Sequence, residues 1–342
     1  MAATISQKLG ALSYVLFFSA GAWCWLLFFA LLYLGGFYTR TLLALYCAYI
    51  WFGPGSTPPR TGSATPFLRG LWVWRKCAEY CPMTLVKTAE LDPEKTYVFG
   101  FHPHGIISMS AFISFATEAL NVSKKFPGIR FYMLTLVQNF YIPFIRDFVL
   151  AHGMCDCARA TCLHLLTRGK GNAIVLCVGG AREALLAQPN HFEIVLGRRL
   201  GFVRIAVQTG SALVPVLSFG ENNMYLVAKP EDGTFTARLQ RNLLKLLGLG
   251  FPIFRGTGMV LSSIGMLPYQ GPIHVVVGAP IDVPKFDGDI NSEEGKRAVS
   301  EAHAKYVAAL RGIWDAHKGH YALERKGTLK IVDLPPAAAL RH

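Results

Sequence analysis

Two apolar patterns divide this chain. From Leu12 to Tyr33 the residues read LSYVLFFSAGAWCWLLFFALLY without a charge, and about 20 apolar residues are enough to span a bilayer core. Gly35 and Gly36 follow, then Arg40, then a second apolar run from Thr41 to Phe52. That run is too short to cross alone unless it begins near Gly35 and Arg40 snorkels to an interface. The pattern predicts an N-terminal membrane hairpin over residues 1–53, either spanning twice or partly re-entrant. A cleaved signal peptide fits less well, because its apolar region is shorter and no small-residue cleavage site stands out. Gly53 to Gly70 is rich in Gly, Pro, Ser and Thr and predicts a linker over residues 54–70.

Beyond the linker the period changes. Tyr97 to Phe101, Ala173 to Val178, Ala212 to Leu217 and Ile273 to Val277 are short β-branched or aromatic runs, the pattern of buried strands. Phe112 to Leu120, Ala158 to Arg168, Gly201 to Thr209, Leu239 to Leu247 and Ser292 to His317 read as helices. Strand alternating with helix predicts an α/β fold, with a mostly parallel sheet flanked by helices. One such domain fills residues 71–334, and residues 335–342 form a tail. In this architecture chemistry gathers in loops at the carboxyl ends of strands.

Composition sharpens the division. The 342 residues are 52% hydrophobic and 16% charged, with a net charge of +13, which excludes a disordered polyelectrolyte. Arg40 is the only charged residue from Leu9 to Pro59, and no acid precedes Glu79. Lys8 before the hairpin and Arg60, Arg69, Arg75 and Lys76 after it place both flanks in the cytosol by the positive-inside rule. The eight cysteines show no secreted disulfide framework and read as reduced thiols. No nucleic-acid-binding motif accompanies the basicity, so it reads as affinity for membrane and for phosphates.

The sharpest candidate chemistry is His102-Pro103-His104-Gly105, directly after the strand ending at Phe101. Two imidazoles there suit a general base, two satisfied loop histidines, or part of a metal site. Catalytic zinc needs a third protein ligand, and no HxHxDH run follows. Gly179-Gly180, after the strand at Ala173, suits either a tight turn or backbone N–H groups approaching an oxyanion or phosphate. Arg198, Arg199 and Arg204 around Gly201-Phe202 suit phosphate contacts or a solvated basic face. His152, Cys155, Cys157, Cys162 and His164 lie close in sequence but match no zinc template. The chain carries no GxSxG, Walker A, HExxH or GxGxxG motif, so serine-triad, nucleotide-hydrolysis and Rossmann chemistry are unsupported.

Taken in order, these segments resemble the type 2 diacylglycerol acyltransferase family, which includes monoacylglycerol and wax alcohol acyltransferases. The resemblance rests on FGFHPHG (Phe99 to Gly105), KKFPGIR (Lys124 to Arg130), VGGAREAL (Val178 to Leu185), RRLGFVRIA (Arg198 to Ala206), LVPVLSFGEN (Leu213 to Asn222), GMLP (Gly265 to Pro268) and VVVGAPI (Val275 to Ile281). It covers roughly residues 73–317 and extends to the N-terminal hairpin. It implies a glycerolipid acyltransferase-like fold and transfer of an acyl chain from acyl-CoA, as substrate and with no cofactor, to a diacylglycerol or related acceptor. It assigns catalysis to His104 and His102, with Glu118 as a candidate to orient the imidazole. Substrate binding falls to Gly105, Gly179, Gly180, Arg198, Arg199, Gly201, Phe202 and Glu221, with no metal. The family works at the endoplasmic reticulum membrane and lipid droplets, here with both termini cytosolic and possible self-association. Tyr80-Cys81-Pro82 stands where the family carries Tyr-Phe-Pro, Leu200 replaces a usual basic residue, and His274 replaces a common Thr. These departures bear on the acceptor: a monoacylglycerol or a long-chain alcohol are the neighbouring alternatives. A non-catalytic hairpin lipid-droplet protein and a metal-dependent hydrolase are the alternatives of other classes.

Overall fold

The computed structural model describes residues 3–53, 62, 64–228, 233–235, 238–239, 242, 253–259 and 265–333. The predicted helix at Leu239 to Leu247 and the tail at 335–342 fall almost wholly outside them.

The first apolar run is not one helix. Helix α1 (Ile5–Phe18) stops at Ser19, and α2 (Ala20–Leu34) leaves it at 65°. Ser19 donates its hydroxyl back to the Val15 carbonyl at 2.8 Å, a bond that competes with helix continuation, and Gly21 follows. The two halves then part company. α1 packs on α5 (Trp72–Tyr80) and buries Ala11, Tyr14 and Val15 in the main core. Gly10 lets the two backbones touch, since a Cβ there would sit 2.6 Å from the Lys76 carbonyl carbon. The hairpin therefore starts later than residue 1, since α1 packs as part of the folded body.

Only α2 and α3 (Phe37–Trp51) form the hairpin. Each has 15 residues, about 22 Å of helix against a hydrocarbon core of about 30 Å. Among the described residues no single helix is long and apolar enough to cross a membrane. Arg40 donates to the Leu32 and Tyr33 carbonyls, both at 3.0 Å, so the one cation of the hairpin satisfies the open end of α2. The inner face of α3 docks on α8 (Ile145–Ala151). Tyr46 donates to Asp147 at 2.7 Å and accepts from the Phe144 N–H. The outer face leaves Trp23, Leu26, Phe29, Leu42, Leu45 and Phe52 exposed.

The linker also ends inside the fold. Pro66–Arg69 is a short helix, α4, and Arg69 is buried, donating to the His152 and Phe115 carbonyls.

The body is a seven-stranded sheet in the order β1-β10-β7-β2-β5-β3-β4. These strands are β1 (Met83–Lys87), β2 (Tyr97–His102), β3 (Arg130–Thr135), β4 (Cys155–Asp156), β5 (Asn172–Cys177), β7 (Ala212–Phe219) and β10 (Ile273–Val277). Five strands run parallel from β7 to β4, while β10 and β1 run the other way. Short strands β6 (Glu193–Val195) with β11 (Lys330–Val332), and β8 (Leu226–Ala228) with β9 (Ile253–Arg255), form two small ladders. On one face lie α1, α5, α6 (Met109–Phe115) and the turn α7 (Val122–Lys125). On the other lie α9 (Arg159–Thr167), α11 (Gly201–Thr209) and α12 (Glu293–Tyr321), with α10 (Ala181–Ala184) at the strand ends. The four predicted strands all appear: β2 and β7 are buried along their whole length, and β5 and β10 at four positions each, the pattern of strands covered on both faces. Ser292 caps α12 by accepting the Gly295 N–H.

Candidate active site

The motif at Phe99 to Gly105 is read best as a strand whose side chains alternate between faces. Phe99 and Phe101 pack toward α6, where Phe99 meets Phe115 edge-on at 5.7 Å. Val98, Gly100 and His102 turn toward α12. Gly100 has no side chain because the Tyr306 hydroxyl of α12 occupies that space. Tyr306 donates to the Gly100 carbonyl at 2.9 Å, which commits its only hydrogen. His102 Nε2, 3.0 Å from the same oxygen, must then be the donor. His102 is fully buried, and burial lowers its pKa to about 3. The structure thus places His102 in the wall behind the site, neutral and locked.

His104 faces the other way and is half-buried. Its Nδ1 lies 2.9 Å from the Gly105 carbonyl. A carbonyl can only accept, so Nδ1 carries the proton and Nε2 the lone pair. Nε2 has no hydrogen-bond partner among the described residues. Burial lowers the His104 pKa, opposed by the Gly105 carbonyl. The result is a neutral imidazole with a basic nitrogen at the carboxyl end of a central strand.

Two buried carboxylates seat the loop around it. Glu183, on α10, accepts the His104 N–H at 2.6 Å and the Val195 N–H at 2.8 Å. Glu221, just after β7, accepts the Met109 and Ser110 N–H groups at 3.0 and 3.1 Å, and also the Ser110 hydroxyl. It therefore occupies the start of α6. Gly105, at φ +61°, leaves room for it: a Cβ would lie 2.6 Å from Glu221 Cγ. Ser108, at φ +50°, closes the loop by donating to the His104 carbonyl at 2.9 Å.

Burial raises both carboxyls to about 7, against the hydrogen bonds they accept. Between their ordinary value of 4.5 and about 7 the folded chain holds protons that the unfolded chain has released. The contribution of these two groups is thus full below pH 4.5, declines as pH rises to about 7, and is flat above. Thermal melting in detergent across that window measures it; a contribution that stays flat from pH 4.5 to 7 would show both groups ionised in the fold.

The other residues singled out by sequence divide sharply. Glu118 does not reach the imidazole: it pairs with Arg69 at 3.3 Å and accepts from Ser123, and the Gly105 carbonyl orients His104 instead. Glu221, expected on the substrate, is turned inward with both oxygens on α6. Gly179 and Gly180 do form the turn beside His104, with Gly180 at φ +63° and Gly179 close against Glu183. Arg199 joins them, donating to the Gly179 carbonyl at 3.1 Å. Arg198 is exposed. Gly201 opens α11, while Phe202 is a core residue set edge-on against Tyr306 at 5.0 Å. Beside Gly201 a cavity of about 490 Å³ is lined by Leu134, Arg159 and Arg204 among others. Cys177, at the end of β5, is hydrogen-bonded with Ser108, and burial pushes it to about 12, which is unsuited to a thiolate nucleophile. Sequence reasoning missed Tyr306 and Arg69 as partners. Glu183 stood inside a quoted motif without a role.

Comparison with known proteins gives the family. The family model described as diacylglycerol acyltransferase matches residues 31–332. Diacylglycerol O-acyltransferase 2A of Umbelopsis ramanniana is 39% identical over 293 residues, 85% of this chain and 81% of its own. Diacylglycerol O-acyltransferase 2 of Xenopus tropicalis is 38% identical over 320 residues, 90% of this chain and 87% of its own. Among solved structures, the 1-acyl-sn-glycerophosphate acyltransferase of Thermotoga maritima aligns with 12% identity and a TM-score of 0.35, over 70% of this chain and 80% of its own. With the family model matching across nearly the whole body and relatives at this identity over most of the chain, the protein belongs to the diacylglycerol acyltransferase family.

Proposed function

We propose that the chain transfers an acyl group from acyl-CoA to the hydroxyl of diacylglycerol, making triacylglycerol, with His104 as general base. The observation that supports this role is the single tautomer of His104, with Nδ1–H held by the Gly105 carbonyl and Nε2 free. Nε2 takes the acceptor hydroxyl proton as that oxygen attacks the thioester carbonyl. The tetrahedral intermediate collapses with cleavage of the C–S bond, and the imidazolium returns the proton to the departing thiolate. No acyl-enzyme is needed, because the thioester is already activated.

The relatives named above are diacylglycerol acyltransferases, which supports diacylglycerol as acceptor. Microsomes carrying the chain, given labelled oleoyl-CoA with mono-, diacylglycerol and long-chain alcohol acceptors side by side, should yield triacylglycerol as the main product. Predominance of wax ester or diacylglycerol would move the assignment to a neighbouring acceptor.

The exposed apolar face of α2 and α3 supports a seat in the cytosolic leaflet of the endoplasmic reticulum membrane. Two helices of about 22 Å suit a re-entrant hairpin, and a hairpin confined to one leaflet also fits a lipid-droplet monolayer. Replacing Leu26, Phe29, Leu42 and Leu45 together by Ser should let alkaline carbonate strip the protein from membranes. Retention of that variant in the pellet would place the membrane contact elsewhere.

A further inference from the structure

Tyr14 lies within the segment whose apolarity suggests an anchor, yet it is only 2% exposed. Its hydroxyl donates to the Ile107 carbonyl at 2.6 Å. Ile107 stands three residues after His104, between Gly105 at φ +61° and Ser108 at φ +50°. A loop with two left-handed residues in four positions keeps its path only where neighbours fix it. Glu183, Glu221 and the Ser108 hydroxyl hold it from the sheet side. From the N-terminal side, Tyr14 supplies the hydrogen bond, and its ring rests on Phe112 of α6 at 5.3 Å. The helix that carries it is itself fixed: Gly10 is wedged on α5, and Lys8 donates to the Met259 carbonyl at 2.9 Å. α1 also runs directly into α2, the first helix of the apolar hairpin.

We propose that Tyr14 is a positioning residue for acyl transfer, holding the Ile107 carbonyl and through it the seat of His104. The proposal rests on the reading of His104 as base. Tyr14→Phe keeps the ring and removes only the hydroxyl. It should lower kcat for triacylglycerol formation by about 10- to 100-fold, the scale of a small misplacement of a catalytic group, with KM for acyl-CoA unchanged. Tyr97→Phe is the control, since Tyr97 is an equally buried tyrosine whose hydroxyl bonds the Asp92 carbonyl at 2.8 Å, at the opposite end of β2 from the loop; it should keep kcat. Phe17→Leu thins the same aromatic contact and leaves the hydrogen bond, and should also keep kcat. Wild-type kcat in Y14F, equal losses in Y14F and Y97F, or a melting temperature lowered in Y14F well beyond the control would each overturn the proposal. The double variant Y14F/H104A should be no slower than H104A alone, as for two residues acting as a unit. Additive losses would refute the positioning role while leaving His104 as base. Full activity in H104A would instead remove the base and the proposal with it.

Discussion

Replacing His104 by Ala is expected to lower kcat by about 10²- to 10⁴-fold, the ordinary contribution of a positioned general base, with the fold intact. His104 makes its side-chain contact to a carbonyl one residue away and stands half-buried at a strand end, so its removal opens little of the core. The same change at His102 should act differently. His102 is fully buried and donates to Tyr306, and a void there, with the Tyr306 oxygen deprived of its donor, costs about 2–5 kcal/mol. His102→Gln discriminates between the two imidazoles, because a glutamine amide places a donor near the position of Nε2. It should recover stability and most of the activity, whereas His104→Gln should stay inactive. Chromatography of labelled product and a melting curve on the same preparations measure both. Active H104Q with inactive, well-folded H102Q would exchange the assignments.

Glu221→Ala should be the most damaging single change to the fold of the site. It strands the Met109 and Ser110 N–H groups at the buried start of α6. An orphaned buried donor costs about 1–3 kcal/mol, so two of them remove a large part of a typical stability of about 5–15 kcal/mol. The Ser110 hydroxyl keeps a partner in Ser218, 2.9 Å away, so it adds little to the loss. Glu221→Gln keeps one acceptor oxygen but turns an NH₂ toward a donor, and should fall between Ala and the native residue. Triacylglycerol synthesis and thermal melting should decline together across Glu, Gln and Ala. A stable E221A with lost activity would instead put the carboxylate on the substrate.

The central sheet was legible because strands buried on both faces are continuous apolar runs, and those at Tyr97, Ala173, Ala212 and Ile273 are bounded by polar turns. The break at Ser19 was not, since a lone serine in the middle of a long apolar run hardly alters a hydropathy pattern, while its back-bond to Val15 redirects the chain. The loop carrying His102 and His104 was found from position, after a strand, and from residue type. Their difference in role was invisible at that level. It follows from strand alternation combined with Tyr306, which lies 204 residues away and whose identity as a partner no local period reveals. Glu118 was chosen for nearness in sequence, but the carboxylates that seat the loop, Glu183 and Glu221, come from the ends of β5 and β7. Parallel crossovers bring such distant segments together, which is why proximity along the chain misled.

The reach of Tyr306 through Gly100 also sets an order of events during biosynthesis. α1, α2 and α3 leave the ribosome ahead of every strand of the sheet. Tyr306 lies on α12, 204 residues after His102, whose Nε2 has no partner until that helix docks. The wall behind His104 is therefore closed only by a segment made long after the strand it braces, and a chain cut before α12 lacks that wall.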